Sequence, residues 1–515
     1  MRKYNTVLYS LALLKFILPY ILQNSYYEPH RDEFLYLAEG SHMAWGFMEV
    51  PPMLSVFAWL THLLGDGMFW IKCWPSLIGA CTFIVTGRII LSLGGKTFAL
   101  VLCFLGFFYS GYLRVHFLFQ PNFLEVFFWT MMAYGIIRYI QANKTSWLYV
   151  TGICAGLGMM SKYSALFFIV SLIAGIALTR HRKMLVNKHF WFAAITGFII
   201  FLPNVIWQYN RHFPVLHHMA ELNETQLQYV SHKSFITDQF MMFLPTVFLW
   251  VTGFIFAAFL KEGKPYRFYA FTYVFVIAIL LALHGKNYYS LGTYPVLIAF
   301  GSYQLGKATE VRLKFLRYVL VIIPLLLTLN FVPIALPVLK PEPLAKLYRE
   351  TNAKATGALH WEDLKDHPLP QDFSDMLGWE EMARKTASAW NALDSNEKKH
   401  AIIYCDNYGQ AGAVSFYAKK YHMPFAYSDN ASFLYWMPED LRFDNVVLVT
   451  DDEHEMEHPF VKDFASAQLR DSVTSTYSRE HGSLIILFKG ANEAFNQMFK
   501  EKLAKARADL LNKPQ

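Results

Sequence analysis

Apolar stretches of about 17 to 25 residues, long enough to carry a helix across roughly 30 Å of hydrocarbon, recur along the chain to about residue 337 and then stop. Judged by apolar length, they predict about eleven spanning helices, near 5–22, 68–93, 97–117, 122–141, 146–160, 163–179, 189–209, 239–260, 267–284, 289–306 and 314–337. The first, preceded by Arg2-Lys3, lacks a small-x-small cleavage pattern and reads as a retained span. Beyond Lys340-Pro341-Glu342-Pro343 the pattern changes. Short apolar runs (401–404, 446–449, 484–487) alternate with helical stretches (about 375–399, 409–420, 491–512), which predicts an α/β domain with a partly parallel sheet. The expected organisation is a polytopic α-helical membrane domain over 1–340 and a soluble α/β domain over 341–515.

Two polar segments interrupt the apolar pattern. The first, about 23–67, is too polar to cross yet carries Trp45, Phe47, Met53, Phe57, Trp59 and Leu60 at near-helical spacing, as expected of amphipathic helices lying along an interface. The second, about 210–238, holds His212, His217, His218, Glu221, Glu224 and His232 without an HxH or HExxH frame, and reads as a hydrated loop.

Charge sets the orientation. With the N-terminus cytoplasmic, the inner loops collect Arg2, Lys3, Arg88, Lys96, Arg138, Lys144, Arg180, Arg182, Lys183, Lys188, Lys261, Lys264, Arg267, Lys307, Arg312, Lys314 and Arg317. The outer loops hold mainly Arg31, Lys72, Arg114, Lys162, Arg211, Lys233 and Lys286. An odd number of spans then places the C-terminal domain outside, on the periplasmic side of a plasma (inner) membrane. A composition of 54% hydrophobic and 17% charged residues agrees with the bilayer as main solvent. The net charge of +7 is spread over short loops rather than gathered on one face, which argues against nucleic acid as a partner. No Walker A loop, GxGxxG or Cys/His metal spacing is present, so neither a nucleotide nor a dinucleotide cofactor has support.

The outer side concentrates the chemistry. Arg31-Asp32-Glu33 and Glu49-Val50-Pro51-Pro52 lie in the first loop, where a carboxylate facing a cavity takes a proton from a hydroxyl or holds a divalent cation; the alternative is a hydrated loop with surface acids. Glu125, in the first turn of the fourth span, complements that helix's positive N-terminus. Lys162 and Lys286 sit at outer turns, placed either to clamp a lipid phosphate or to snorkel to the headgroups.

These motifs, taken in order, resemble the bacterial family 39-like glycosyltransferases of the GT-C fold, relatives of protein O-mannosyltransferases and lipid A aminoarabinose transferases. The resemblance rests on Arg31-Asp32-Glu33-Phe34-Leu35-Tyr36-Leu37, on Ala44 to Pro52, and on Pro121-Asn122-Phe123-Leu124-Glu125. It continues in Ser161-Lys162-Tyr163-Ser164, Phe201-Leu202-Pro203-Asn204, Gly285-Lys286-Asn287-Tyr288-Tyr289 and Asn407-Tyr408-Gly409-Gln410-Ala411-Gly412. It implies a polyprenyl-phosphate sugar as donor, an envelope lipid, glycan or protein as acceptor, transfer on the outer face, and inversion at the anomeric carbon. Asp32 matches the family's base, and Glu49 the acid before the paired prolines that shapes the site or holds a divalent metal. Lys286 and Lys162 match positions at the donor phosphate, with Arg31, Glu33, Asn122, Glu125 and Tyr288 in support. Aminoarabinose transferases carry Lys before the paired prolines where this chain has Val50, so their donor and acceptor are not implied. The competing class is a multi-span lipid or sugar transporter or flippase; against it, the acids gather in one outer loop rather than at the midplane, and the spans show no two-fold repeat.

Overall fold

The computed structural model describes residues 2–311 and 313–509; Arg312 and residues 510–512 of the last predicted helix lie outside the described residues. From Arg2 to Ala335 the chain is helical. In order it forms α1 (Arg2–Leu22), α2 (Arg31–Ser41), α3 (Met53–Leu64), α4 (Met68–Ser92), α5 (Thr97–Phe108), the single turn α6 (Tyr112–Val115), α7 (Asn122–Ala142) and α8 (Ser146–Met159). There follow α9 (Ala165–Ala177), α10 (Lys188–Asn210), α11 (Pro214–Thr225), α12 (His232–Met241), α13 (Val247–Phe259), α14 (Arg267–Ala282), α15 (Tyr294–Ala308) and α16 (Leu316–Ala335).

Every expected span falls on a helix, but many of these helices are shorter than a full crossing. Among the described residues, five are long and apolar enough to cross a membrane: α1, α4, α7, α10, and α14 with its preceding turn. Two bent pairs raise the number to seven, one joining α9 to Arg180–Val186 at 116° and one joining α12 to Leu244–Phe259 at 61°. The span expected over 97–117 ends as α5 at Phe108, breaks at Ser110-Gly111 and resumes as α6. That expected over 289–306 opens as a 3-10 turn, Asn287–Thr293, and becomes α-helical only at Tyr294, with Pro295 in the first turn, where its missing N–H costs nothing.

Small residues bring the helices together, as they do wherever lipid supplies no hydrophobic drive. A Cβ on Gly253 would fall 1.8 Å from the Leu297 carbonyl oxygen, and one on Gly301 1.8 Å from that of Leu249, so α13 and α15 touch backbone to backbone. Gly152 of α8 meets Ala193 of α10 in the same way, at 2.1 Å.

The C-terminal part contains a four-stranded sheet of β1 (Ala401–Cys405), β2 (Asn445–Thr450), β3 (Phe464–Ser472) and β4 (Leu484–Ala491), in the order β1-β2-β4-β3. β1 and β2 are parallel, and the other two pairings are antiparallel. Alternate residues build two cores, as the two-residue period of a strand requires. Ile403, Cys405, Val447, Val449, Ile485 and Leu487 face the helices Trp379–Asn391 and Tyr408–Tyr421. Ile402, Tyr404, Val446, Leu448, Ile486 and Phe488 face the last helix through Phe495, Phe499 and Leu503. β3 escaped the sequence reading because it is an edge strand, with only Phe464 fully buried and no apolar run to mark it. Phe34, Leu35 and Ala38 of α2 belong to the first of these cores, so the segment between the first two spans is built into the C-terminal fold.

Candidate active site

The site begins at the N-terminus of α2. His30 caps this helix: its Nδ1 accepts from the Asp32 N–H at 3.1 Å, while the Glu33 carboxylate accepts from the His30 N–H at 2.7 Å, a capping box with histidine in place of serine or threonine. Successive residues on a helix point about 100° apart, so Asp32 and Glu33 diverge. Glu33 turns into the bundle and is fully buried, both oxygens 2.6 Å from the Nζ of Lys72 on α4, and it also accepts from the Phe119 N–H. Asp32 turns the other way and remains partly exposed, its Oδ2 accepting from Gln120 Nε2 at 3.1 Å and its Oδ1 from the Tyr408 hydroxyl at 2.8 Å. The cap and the buried pair therefore assign the two acids different places, with Asp32 partly exposed and Glu33 in the packing.

Burial alone raises the pKa of Asp32, but the neighbouring His30, Arg31 and Lys286 and the Tyr408 hydrogen bond outweigh it and leave the group below the ordinary aspartate value. It is ionised at neutral pH. Arg31 lies over the Tyr408 ring, 4.3 Å from its centroid, and donates to its hydroxyl at 3.2 Å.

Lys162 occupies the α8–α9 turn. Its Nζ lies 2.7 Å from Asn122 Oδ1 and 3.0 Å from Glu125 Oε2, and 4.2 Å from the centre of the Tyr289 ring. Glu125 is buried and also accepts from Ser164, so its carboxylate serves Lys162 rather than the N–H groups of its own helix. Desolvation lowers the Lys162 pKa, opposed by Glu125 and reinforced by the neighbouring charge of Lys286. Lys286 donates to Gln226 of the second polar segment and stands 3.6 Å from Glu362, a long ion pair that leaves part of its charge unmatched. Tyr288 feels both Asp32 and Glu125, and burial raises its pKa. Asp32, Tyr288, Lys162 and Lys286 thus share one electrostatic neighbourhood.

Glu49 sits apart from them. Its Oε1 accepts from the Ser432 N–H at 2.7 Å and its Oε2 from the Ser432 hydroxyl at 2.6 Å. Near it lies Glu39 of α2, fully buried, with neither carboxylate oxygen hydrogen-bonded; burial and the charge of Glu49 push its pKa well up. Burial also raises Glu49, against its Ser432 hydrogen bonds. Sequence reasoning missed Glu39, Tyr408 as a partner of Asp32, and Ser432. Tyr408 lay in a recognised motif; Glu39 and Ser432 carried no local signal.

Two groups of described residues are spaced closely enough to share a metal ion: His30 with Asp372 and Asp375, and Asp452 with Glu455 and His458. Glu49 is in neither. In the first group, Nδ1 of His30 already accepts from a backbone N–H, so a neutral ring carries its proton on Nε2, the atom that faces Asp372 at 3.5 Å and Asp375 at 3.7 Å. That nitrogen has no lone pair for a metal, and Asp372 is further paired with Arg114 and Asp375 with Arg479. The donor set fits an ion-pair corner rather than a metal centre.

Residues 49–207 match the family of dolichyl-phosphate-mannose-protein mannosyltransferases. In fold, the chain is similar to ArnT from Cupriavidus metallidurans bound to undecaprenyl phosphate, at a TM-score of 0.61 and 11% identity, over 94% of this chain and 98% of that one. The apo form of the same protein gives a TM-score of 0.60 at 10% identity, over 95% and 98%. No curated protein sequence matches. The family match covers residues 49–207, and the similarity in fold runs over nearly the whole chain.

Proposed function

We propose that the protein transfers a sugar from a polyprenyl-phosphate donor to a hydroxyl of an envelope lipid, glycan or protein on the outer face of the membrane, with inversion. The observation that carries this is the meeting of an ionised, partly exposed Asp32 with two lysines, Lys162, paired with Glu125, and Lys286, whose only ion pair is a long one of 3.6 Å to Glu362 among the described residues. An acid poised for a hydroxyl and cations poised for a phosphate are the two halves of a displacement at a lipid-phosphate sugar.

In that reaction the acceptor hydroxyl attacks the anomeric carbon from the face opposite the phosphate. The oxygen–carbon bond forms as the carbon–oxygen bond to the lipid phosphate breaks, and the hydroxyl proton passes to Asp32. A carboxylate of low pKa suffices because the hydroxyl becomes acidic only as its oxygen bonds to carbon. Lys286 and Lys162 hold the charge that grows on the leaving phosphate. Glu49, held by the Ser432 N–H and hydroxyl, shapes the site.

The polyprenyl tail has a seat available. An apolar groove of about 400 Å³ is lined by Met132 of α7, Leu148 and Met159 of α8, Leu166 of α9 and Phe198 and Phe201 of α10, and Met159 and Leu166 flank the turn that carries Lys162. We further propose that residues 1–340 make eleven crossings with the N-terminus cytoplasmic, and that residues 341–515 form an α/β domain on the outer side of the plasma membrane.

The test uses the purified full chain in lipid nanodiscs, a panel of undecaprenyl-phosphate sugars and an envelope extract as acceptor. Release of undecaprenyl phosphate by the wild type, lowered about 10²- to 10⁴-fold in Asp32→Asn, is the expected result. Equal release by both proteins would remove Asp32 from the reaction.

A further inference from the structure

We infer that the C-terminal domain completes the reaction centre, with Tyr408 a positioning residue that holds Asp32 in one orientation and the Asn430–Ser432 strap holding Glu49. This rests on the assignment of Asp32 as base.

Three independent features of the fold serve that contact. The first is the docking of the Tyr408–Tyr421 helix against α2. Asn407 caps it, its side chain accepting from the N–H groups of Gly409 at 3.0 Å and Gln410 at 3.1 Å, which fixes the first turn and with it Tyr408. A Cβ on Gly409 would lie 2.6 Å from Arg31 Cγ, and one on Gly412 2.9 Å from the backbone carbon of Phe34. The two glycines, three apart on one helix face, therefore let this helix lie directly on the residues flanking Asp32.

The second is the closing of Asp32's geometry by two donors from separate parts of the chain. Tyr408 takes Oδ1 and Gln120 takes Oδ2, so the carboxylate plane is set by one donor from the membrane bundle and one from the C-terminal domain. Arg31, stacked on Tyr408 and bonded to its hydroxyl, orients that hydroxyl's proton toward Asp32, since a guanidinium only donates.

The third is the strap. Asn430 Oδ1 accepts from the Tyr408 N–H at 3.2 Å. The next residue, Ala431, holds a φ of 57°, a left-handed conformation that a Cβ-bearing residue seldom adopts. Ser432 then presents both its N–H and its hydroxyl to Glu49 while its Oγ accepts from the Met48 N–H at 3.0 Å. Backbone strain at such a point persists where the surroundings impose it. A continuous chain of contacts thus links Asp32, Tyr408, Asn430, Ser432 and Glu49.

The test compares full-length wild type, Tyr408→Phe, Ser432→Ala and Asp32→Asn. In the undecaprenyl-phosphate release assay, Tyr408→Phe removes a donor to the carboxylate. The acid limb of the pH–rate profile is expected to move up by about one pH unit, with kcat reduced and KM little changed. A uniform fall in rate with the limb unmoved would mean that Tyr408 is structural only, and would overturn the inference while leaving Asp32 in place. Should Asp32→Asn keep its activity, the assignment of the base falls instead. A readout without turnover stands beside these: the drop in melting temperature caused by Tyr408→Phe is expected to shrink in an Asp32→Asn background, and equal drops in both backgrounds would show no coupling.

Discussion

At the residue scale, two neighbouring acids carry opposite duties. Glu33 and Lys72 form a pair with no exposure at all, so truncating one partner strands a charge in the bundle. Lys72→Met is expected to destabilise the protein by about 3–5 kcal/mol, read as a fall in melting temperature in detergent, whereas a change below about 1 kcal/mol would show the pair is not buried as described. Asp32, one position away, stays partly exposed. The sequence reading expects both acids in one loop; which of them stays exposed depends on the His30 cap and on Lys72, which lies 39 positions further along the chain.

Glu39 tests the electrostatics with the sign worked out. Its folded pKa is raised, so as pH climbs from about 4.5 the unfolded chain releases this proton while the folded one keeps it, and stability falls. Gln carries no such penalty. Glu39→Gln is therefore expected to match wild type near pH 4.5 and to melt at higher temperature than wild type at pH 8. A difference independent of pH would mean the carboxyl titrates normally. No pattern around Glu39 announces this, because an orphaned acid is created by what packs over it.

At the element scale, the glycines do what periodicity cannot report. Every apolar stretch falls on a helix, yet several of the helices are shorter than the stretch that announced them. α5 stops after 12 residues at a Ser110-Gly111 break, and α15 begins only where Pro295 allows it. The close contact of α13 with α15 predicts that Gly301→Leu separates these helices, with a loss of folded protein on size-exclusion chromatography, while Gly65→Ala serves as a milder control: a Cβ there meets nothing within 4 Å, though φ of 105° strains it. Equal yields of both variants would contradict the packing. The strands that were legible, β1, β2 and β4, are the buried ones with unbroken apolar runs; β3 is exposed along most of its length and reads as a loop.

At the scale of the whole molecule, the candidate site draws on segments separated by hundreds of positions. Asp32 meets Tyr408 and Gln120, Lys162 meets Asn122 and Glu125, and Lys286 meets Gln226 and Glu362. The individual motifs were visible in the sequence because each is local. Their convergence was not, since the partition at residue 340 treated the C-terminal part as a separate body, whereas α2 packs into its core. If the two lysines hold the leaving phosphate together, Lys162→Ala and Lys286→Ala should each lower turnover about 10²-fold, and the double variant should fall short of the product of the two. Multiplicative losses would place them at separate sites.

The most direct test of the central claim is mass spectrometry of envelope lipids and glycans from source cells lacking this gene, complemented with wild type or Asp32→Asn at matched expression. The account predicts a sugar-sized mass increment on one envelope component that wild type restores and Asp32→Asn does not. Restoration by both proteins would contradict it and return the chain to the transporters.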